Sequence, residues 1–225
     1  MNKVIMIQAR MSSLRFPNKM LQKISGISLI EYVYNRCNCS KVANGVIVLT
    51  STEKSDDILF EECRKKSIPV YRGSLNNVLQ RYIDASEYIG AEIICRVCGD
   101  SPFVDVESID KMFNIMMDNI NLEYITKNGH YNGFKSEIFN LSALKKTNQN
   151  RLTNEQKEHV TLFLLENEKS FNTEIINKNI ECKNQDGITL TVDYPEDIID
   201  VDMVANSVDG FCATTKDIVN ILNKK

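Results

Sequence analysis

Between Ala9 and Lys19 the chain reads Ala9-Arg10-Met11-Ser12-Ser13-Leu14-Arg15-Phe16-Pro17-Asn18-Lys19. Arg10, Arg15 and Lys19 put three cations in one short stretch, and Ser12 and Ser13 add two hydroxyls. That set suits a compact polyanion such as a nucleoside triphosphate. One cation about 4 Å from a phosphate oxygen contributes roughly 4 kcal/mol at an effective dielectric of ~20. Arginine forks two oxygens at once, lysine acts as a point charge, and backbone amides of a turn add anion contacts. A solvated surface loop would carry similar charges, but this one follows directly on an apolar run, Val4 to Gln8. It is neither a P-loop nor a dinucleotide fingerprint, because Gly-x-x-x-x-Gly-Lys-Ser/Thr and Gly-x-Gly-x-x-Gly are both absent. Two more segments follow apolar runs and carry carboxylates: Cys98-Gly99-Asp100-Ser101-Pro102 and Asp193-Tyr194-Pro195-Glu196-Asp197.

The elements that must position these residues alternate. Val4 to Gln8, Gly45 to Thr50, Pro69 to Arg72 and Glu92 to Val97 read as strands. Leu29 to Cys37, Ser55 to Lys66, Leu75 to Tyr88 and Asp105 to Met117 read as helices between and after them. That order implies a three-layer α/β architecture, a mostly parallel sheet with helices on both faces. In such sheets ligands bind beyond the carboxyl ends of the strands, where the three segments above fall. The later part is mixed, with strands expected at Glu123–Thr126, Ser136–Asn140, Thr173–Ile180 and Ile188–Val192. Helices are expected at Glu155–Glu168, Glu196–Asn206 and Thr215–Leu222. Lys145 to Arg151 is the one polar stretch resembling a linker, and it is short for separating domains. The 225 residues therefore read as a single domain, 1–225, with an insertion around 121–185 that could serve dimerisation or acceptor binding.

Composition narrows the function. The chain has 27 Lys and Arg against 30 Asp and Glu, a net charge of −3. That argues against nucleic-acid binding, which needs a clustered basic excess, while leaving room for a small basic pocket. No apolar run approaches the ~20 residues of a membrane span. The N-terminus turns polar at Gln8-Ala9-Arg10, short of a secretory signal. Seven irregularly spaced cysteines fit reduced thiols in a cytoplasmic protein. Cys95-Arg96-Val97-Cys98 spells C-x-x-C, but on a strand residues 95 and 98 point to opposite faces, which disfavours zinc or dithiol chemistry. Met112, Met116 and Met117 lie at helical spacing and read as core.

Ile7-Gln8-Ala9-Arg10-Met11-Ser12-Ser13-Leu14-Arg15-Phe16-Pro17-Asn18-Lys19-Met20-Leu21 closely resembles the opening signature of the SpsF-like cytidylyltransferases, named for a spore coat polysaccharide biosynthesis protein. It is similar, more distantly, to the synthetases that make CMP-Kdo and CMP-sialic acids. Four further segments match in order: Tyr71-Arg72-Gly73-Ser74 with Asn77-Val78-Leu79-Gln80-Arg81-Tyr82, Arg96 to Pro102, Glu158-His159-Val160-Thr161, and Thr191 to Asp197. The family usually has Thr-Arg-Leu-Pro-Gly-Lys where this chain has Leu14-Arg15-Phe16-Pro17-Asn18-Lys19, Asp at Asn77, and often Cys at Ser101. Asn18 is tolerable in place of glycine if the turn needs positive φ.

The resemblance implies a Rossmann-like nucleotide-diphospho-sugar transferase fold and a cytoplasmic, Mg²⁺-dependent sugar nucleotidyltransferase. It would move a nucleoside monophosphate from CTP to a sugar, sugar acid or sugar phosphate and release pyrophosphate, in surface polysaccharide or glycan biosynthesis. Arg10, Arg15, Lys19 and Asp100 would carry the reaction. Ala9, Ser12, Ser13, Gly73, Arg81 and Gly99 would join the three cations around the nucleotide. Asp100 and Asp193 would hold Mg²⁺, a hard ion that takes one or two carboxylates with phosphate and water. Pro195, Glu196 and Asp197 instead suit a helix start. Glu137 would stand near the sugar, with a solvated strand carboxylate as its alternative. His159 would meet the substrate, as a base or as a positioning residue at a helix start. Small-molecule nucleotide and sugar partners follow, without nucleic acid or membrane, and homodimerisation is compatible. Two rivals remain. A GT-A-type glycosyltransferase would use an Asp-x-Asp motif, which Asp200-Val201-Asp202 spells inside an expected helix. A non-catalytic nucleotide-sugar-binding scaffold would release no pyrophosphate.

Overall fold

A computed structural model describes residues 1–128, 132–177 and 190–223. Its centre is β1 (Lys3–Gln8), whose alternate residues serve two cores: Ile5 and Ile7 pack on one face, Val4 and Met6 on the other. Fully burying each such side chain contributes about 1.5–3 kcal/mol, so a strand apolar on both faces belongs mid-sheet. Beside β1 run β4 (Gly45–Ser51) and β6 (Ile93–Cys98), both parallel to it. β5 (Val70–Gly73) adds in parallel to β4. Beyond β6 the sheet continues through β8 (Glu137–Asn140), β7 (Tyr124–Asn128) and β9 (Thr173–Asn177), giving the order β5-β4-β1-β6-β8-β7-β9. β8 pairs antiparallel with both neighbours, and β7 and β9 pair in parallel. Only β8 therefore opposes the other six, and the expected mostly parallel sheet is present. A two-stranded hairpin of β2 (Lys23–Ile24) and β3 (Ile27–Ser28) stands apart from it.

Helices cover both faces. α1 (Leu29–Cys37), α2 (Asp57–Lys65), α4 (Val106–Asp118), α8 (Asp197–Ser207) and α9 (Thr215–Leu222) send side chains into the core around Ile5 and Ile7. α3 (Val78–Ile89), α5 (Leu141–Asn148) and α7 (Leu162–Glu166) fill the opposite core around Met6. Met112 and Met116 are buried in the first core, and Met117 packs against it. No helix among the described residues is long and apolar enough to cross a membrane.

Four expectations change. Glu155–Glu168 is not one helix: α6 (Asn154–Glu158) stops at His159, and α7 begins at Leu162. Both are short, five residues each, and no glycine or proline stands between them to mark the break. The linker-like Lys145–Arg151 begins as the last turn of α5. Of the expected strands, residues 178–180 and 188–189 lie outside the described residues, and Leu190–Val192 is irregular. Finally, the thiols are not all reduced, because Cys39 and Cys212 form a disulfide. A separation of 173 residues left no local spacing to reveal it.

Candidate active site

The loop after β1 is built from its own polar groups. Its first turn is pinned from below: Met11 N donates to the fully buried Asp56 carboxylate at 2.7 Å, and Ser51 N donates to the same group at 3.1 Å. Ser13 Oγ accepts from Phe16 N at 3.3 Å, so this hydroxyl shapes the turn. Asn18 sits at φ 59°, in the left-handed region, and lets the chain reverse into Lys19. Asparagine visits that region more readily than most residues, which explains how the chain dispenses with glycine there.

Lys19 is buried, and its ammonium is the meeting point of the site. Lys19 Nζ lies 2.8 Å from Asp100 Oδ2, 2.9 Å from the Val192 carbonyl and 3.8 Å from Asp193 Oδ1. Two carboxylates 93 residues apart in sequence thus face one cation. Gly99 makes the approach possible: a Cβ there would stand 3.0 Å from Ala9 Cβ and Met20 Sδ and 3.2 Å from the Gln8 carbonyl. Val192 N donates to the Asp100 carbonyl at 2.9 Å, locking the two segments together. Asp193 N and Tyr194 N both donate to Asp197, so Asp197 orders the entry to α8, as expected of a helix-start residue. Arg15 donates to Asp193 at 2.6 Å and lies over the Tyr194 ring at 5.1 Å. Tyr194 and Asp193 raise its pKa further, so its charge is permanent.

A cavity of about 540 Å³ opens over this loop. Ala9, Arg10, Ser12, Ser13, Arg15 and Lys19 line one side. Arg81, Gly99, Asp100, His159 and Asp193 line the rest. Gly73 does not reach it. A Cβ at Gly73 would come within 2.7 Å of Arg81 Cγ, so this glycine makes room for Arg81. Arg81 is 1% exposed, and its guanidinium is held by the Ser74 carbonyl at 2.9 Å and 2.5 Å. His159 is exposed at the break between α6 and α7 rather than at a helix start. Beside it, Glu158 pairs with Arg10 at 3.2 Å. Glu158 and Tyr194 were both inside quoted motifs, but nothing in their spacing singled them out.

A second cavity of about 260 Å³ adjoins the first, sharing Cys98, Asp100 and Asp193. Ser101, Lys135, Glu137 and Thr191 are among its lining. Glu137 is 6% exposed, so it is not a solvated strand carboxylate. It accepts from Arg96 at 2.8 Å, from Tyr124 at 2.9 Å and from Thr161 at 3.2 Å. Burial works to raise its pKa, but the Arg96 charge and hydrogen bond, with Lys135 and Tyr124, together outweigh that and hold the carboxyl below its usual range. Burial also pushes the Cys98 thiol up, which keeps it a neutral lining group. Asp200-Val201-Asp202 lies within α8, where Asp202 accepts from Ser25 N at 2.7 Å and borders neither cavity. Cys95 is buried in the core while Cys98 lines the cavities, as opposite strand faces require. Among the described residues, no cluster of three or more His, Cys, Asp or Glu could hold a metal ion. The Asp100–Asp193 pair remains, with oxygen donors of the hard type that suits Mg²⁺ when phosphate and water complete the shell.

Comparison with known proteins gives a consistent picture. The family model described as cytidylyltransferase matches residues 4–212. An uncharacterized protein of Methanocaldococcus jannaschii is 34% identical over 191 residues, covering 85% of this chain and 78% of its own. The spore coat polysaccharide biosynthesis protein SpsF of Bacillus subtilis is 32% identical over 170 residues, covering 73% of this chain and 70% of its own. Among solved structures, a cytidylyltransferase from Leptospira borgpetersenii superposes with a TM-score of 0.91 at 28% identity, over 100% of this chain and 94% of that one.

Proposed function

The chain belongs to the cytidylyltransferase family, and from that membership and the two joined cavities we propose that it transfers CMP from CTP to a sugar-type acceptor, releasing pyrophosphate. The observation that carries this reading is the shared wall: the larger cavity and the smaller one meet at Asp100 and Asp193. A donor phosphate in the first and an acceptor oxygen in the second would therefore face each other across two carboxylates.

In this reading, 540 Å³ lies within the ordinary range of small-ligand sites and takes the nucleotide. Arg10, Arg15 and Lys19 neutralise the triphosphate, and Ala9, Ser12, Ser13 and Gly99 form the floor beneath it. Arg81, with its guanidinium fixed by the Ser74 carbonyl, supports the nucleoside side, and Gly73 leaves it the space. The smaller cavity takes the acceptor, with Glu137 and Arg96 as a preset polar wall and His159 as a positioning group at the mouth of the larger one. In this reading acceptor recognition draws on Lys135, Ser136 and Glu137, within the 121–185 stretch of one nucleotidyltransferase domain. Asp100 and Asp193 would hold Mg²⁺, which supplies countercharge to the triphosphate and polarises the α-phosphoryl group. The acceptor oxygen attacks the α-phosphorus in line, the bond to the β-phosphate breaks, and pyrophosphate leaves. The residues contribute mostly positioning and preset electrostatics. Arg15 must leave Asp193 to reach the phosphates, which costs little because both side chains are solvent-accessible.

A thermal-shift panel with CTP, UTP, GTP and ATP, with and without Mg²⁺, tests the donor. A ligand at 100 times its Kd adds ~2.7 kcal/mol, roughly 5–10 °C for a chain of this length. A shift confined to CTP with Mg²⁺ is the expected result, followed by pyrophosphate release with sugar acids or sugar phosphates. No shift with any nucleotide would overturn the reading in favour of a non-catalytic scaffold.

A further inference from the structure

We infer that Cys39 and Cys212 form a thiol-exchangeable clamp that fastens the C-terminal segment 190–223 onto α1. The two residues are bonded with Cα atoms 5.4 Å apart, the ordinary span of a disulfide. The approach does not depend on the sulfurs alone. Arg36, 3% exposed at the end of α1, donates through Nη1 to the carbonyls of Phe211 and Ala213, the two neighbours of Cys212. Its Nε donates to the Val104 carbonyl at 3.1 Å, which fixes the guanidinium from a third side. The Tyr32 ring meets Phe211 edge-on with centroids 5.1 Å apart. None of these contacts passes through the sulfurs, so after reduction they still favour the approach of the two thiols and re-formation of the bond.

Accessibility sets this pair apart. Cys212 is exposed and Cys39 half-buried. Cys37, Cys63 and Cys95 are buried, with Cys37 and Cys63 pushed up to about 12 by that burial. A glutathione-class thiolate can reach Cys212 Sγ. Its attack breaks the Sγ–Sγ bond, and the electron pair leaves on Cys39 Sγ, which then takes a proton. A second glutathione thiolate attacks the glutathione sulfur of that mixed disulfide, and Cys212 Sγ leaves with the electron pair and takes a proton, giving two protein thiols and one glutathione disulfide. The reverse reaction uses glutathione disulfide as oxidant. What the clamp holds matters to the site, because the fastened segment carries Asp193. That last consequence rests on the role given to Asp193 above.

The test compares the full chain equilibrated with glutathione disulfide and with dithiothreitol. Peptide mapping without reductant should find Cys39 linked to Cys212 in the oxidised sample only. The oxidised chain should melt roughly 5–15 °C higher, the range expected for a typical disulfide in a chain this size. Trypsin should cut within 190–223 faster in the reduced chain. Cys39→Ser and Cys212→Ser should each abolish the difference between the two conditions. Equal melting temperatures, no linked peptide under oxidant, or a link to any other cysteine overturns the clamp. Failure of CTP to bind either form, with the melting difference intact, overturns the nucleotide reading and leaves the clamp standing.

Discussion

Lys19 shows how one residue organises the site. Its ammonium is buried, yet it is satisfied by Asp100, the Val192 carbonyl and, at longer range, Asp193. Buried charge persists only when paired, so the two aspartates serve the fold as well as the role proposed for them. The two roles separate on mutation. Asp100→Asn keeps the side-chain shape and an acceptor oxygen for Lys19 but removes the charge. Its turnover should fall roughly 10²–10³-fold, the scale of losing one preset electrostatic group, while the melting temperature moves by no more than ~3 °C. A pyrophosphate-release assay beside a melting curve decides it, and near-normal turnover would remove Asp100 from the metal-holding role. Glu158 and Tyr194 belong at this scale too. Each holds an arginine of the loop, Glu158 on Arg10 and Tyr194 on Arg15.

At the scale of elements, the loop after β1 depends on backbone conformation as much as on charge. Asn18 adopts φ 59° immediately before the turn that carries Lys19. Asn18→Val should cost about 1–2 kcal/mol, since a β-branched residue is poorly tolerated in the left-handed region. Asn18→Gly should leave stability within ~0.5 kcal/mol. Urea titrations of both variants check this, and equal stability of Asn18→Val and the parent chain would contradict it. Element boundaries also place the site's less expected members. The break between α6 and α7 turns the chain so that His159 and Glu158 line the larger cavity while Thr161 reaches Glu137.

Across the whole molecule, a buried ion pair joins the helical layer to the added strands. Lys127 on β7 lies 2.9 Å from Asp105, the N-cap of α4, and both are buried. Burial works to raise the Asp105 pKa, but Ser108 and Lys127 outweigh it and bring the carboxyl down to about 2. The folded chain therefore binds fewer protons than the unfolded one between that value and the ordinary carboxylate range near 3.8. The resulting stability, about 2 kcal/mol, is complete above roughly pH 4 and is lost as pH falls toward 2. Lys127→Met leaves a buried carboxylate without that partner and should cost about 3 kcal/mol at pH 7. The stability gap between parent and variant should narrow as pH falls from 4 to 2. Denaturant midpoints at pH 7, 4 and 2 measure it, and a constant gap would show that the pair does not set acid tolerance.

The sequence by itself determined the alternating strands and helices of the first 120 residues, the mostly parallel sheet and the loop of Arg10, Arg15 and Lys19. These are local signals, apolar periodicity and motif spacing, which do not depend on distant partners. Leu29–Cys37 and Thr215–Leu222 fall where their apolar periodicity places them. The mixed region was less legible, because α6 and α7 are only five residues each and no glycine or proline marks the break between them. Only the tertiary structure decided what lies between segments far apart in the chain. It set Lys19 between Asp100 and Asp193, buried Glu137 against Arg96, removed Gly73 from the cavity wall and joined Cys39 to Cys212. Each of those outcomes depends on which side chains meet after the sheet closes, and no one-dimensional pattern records that.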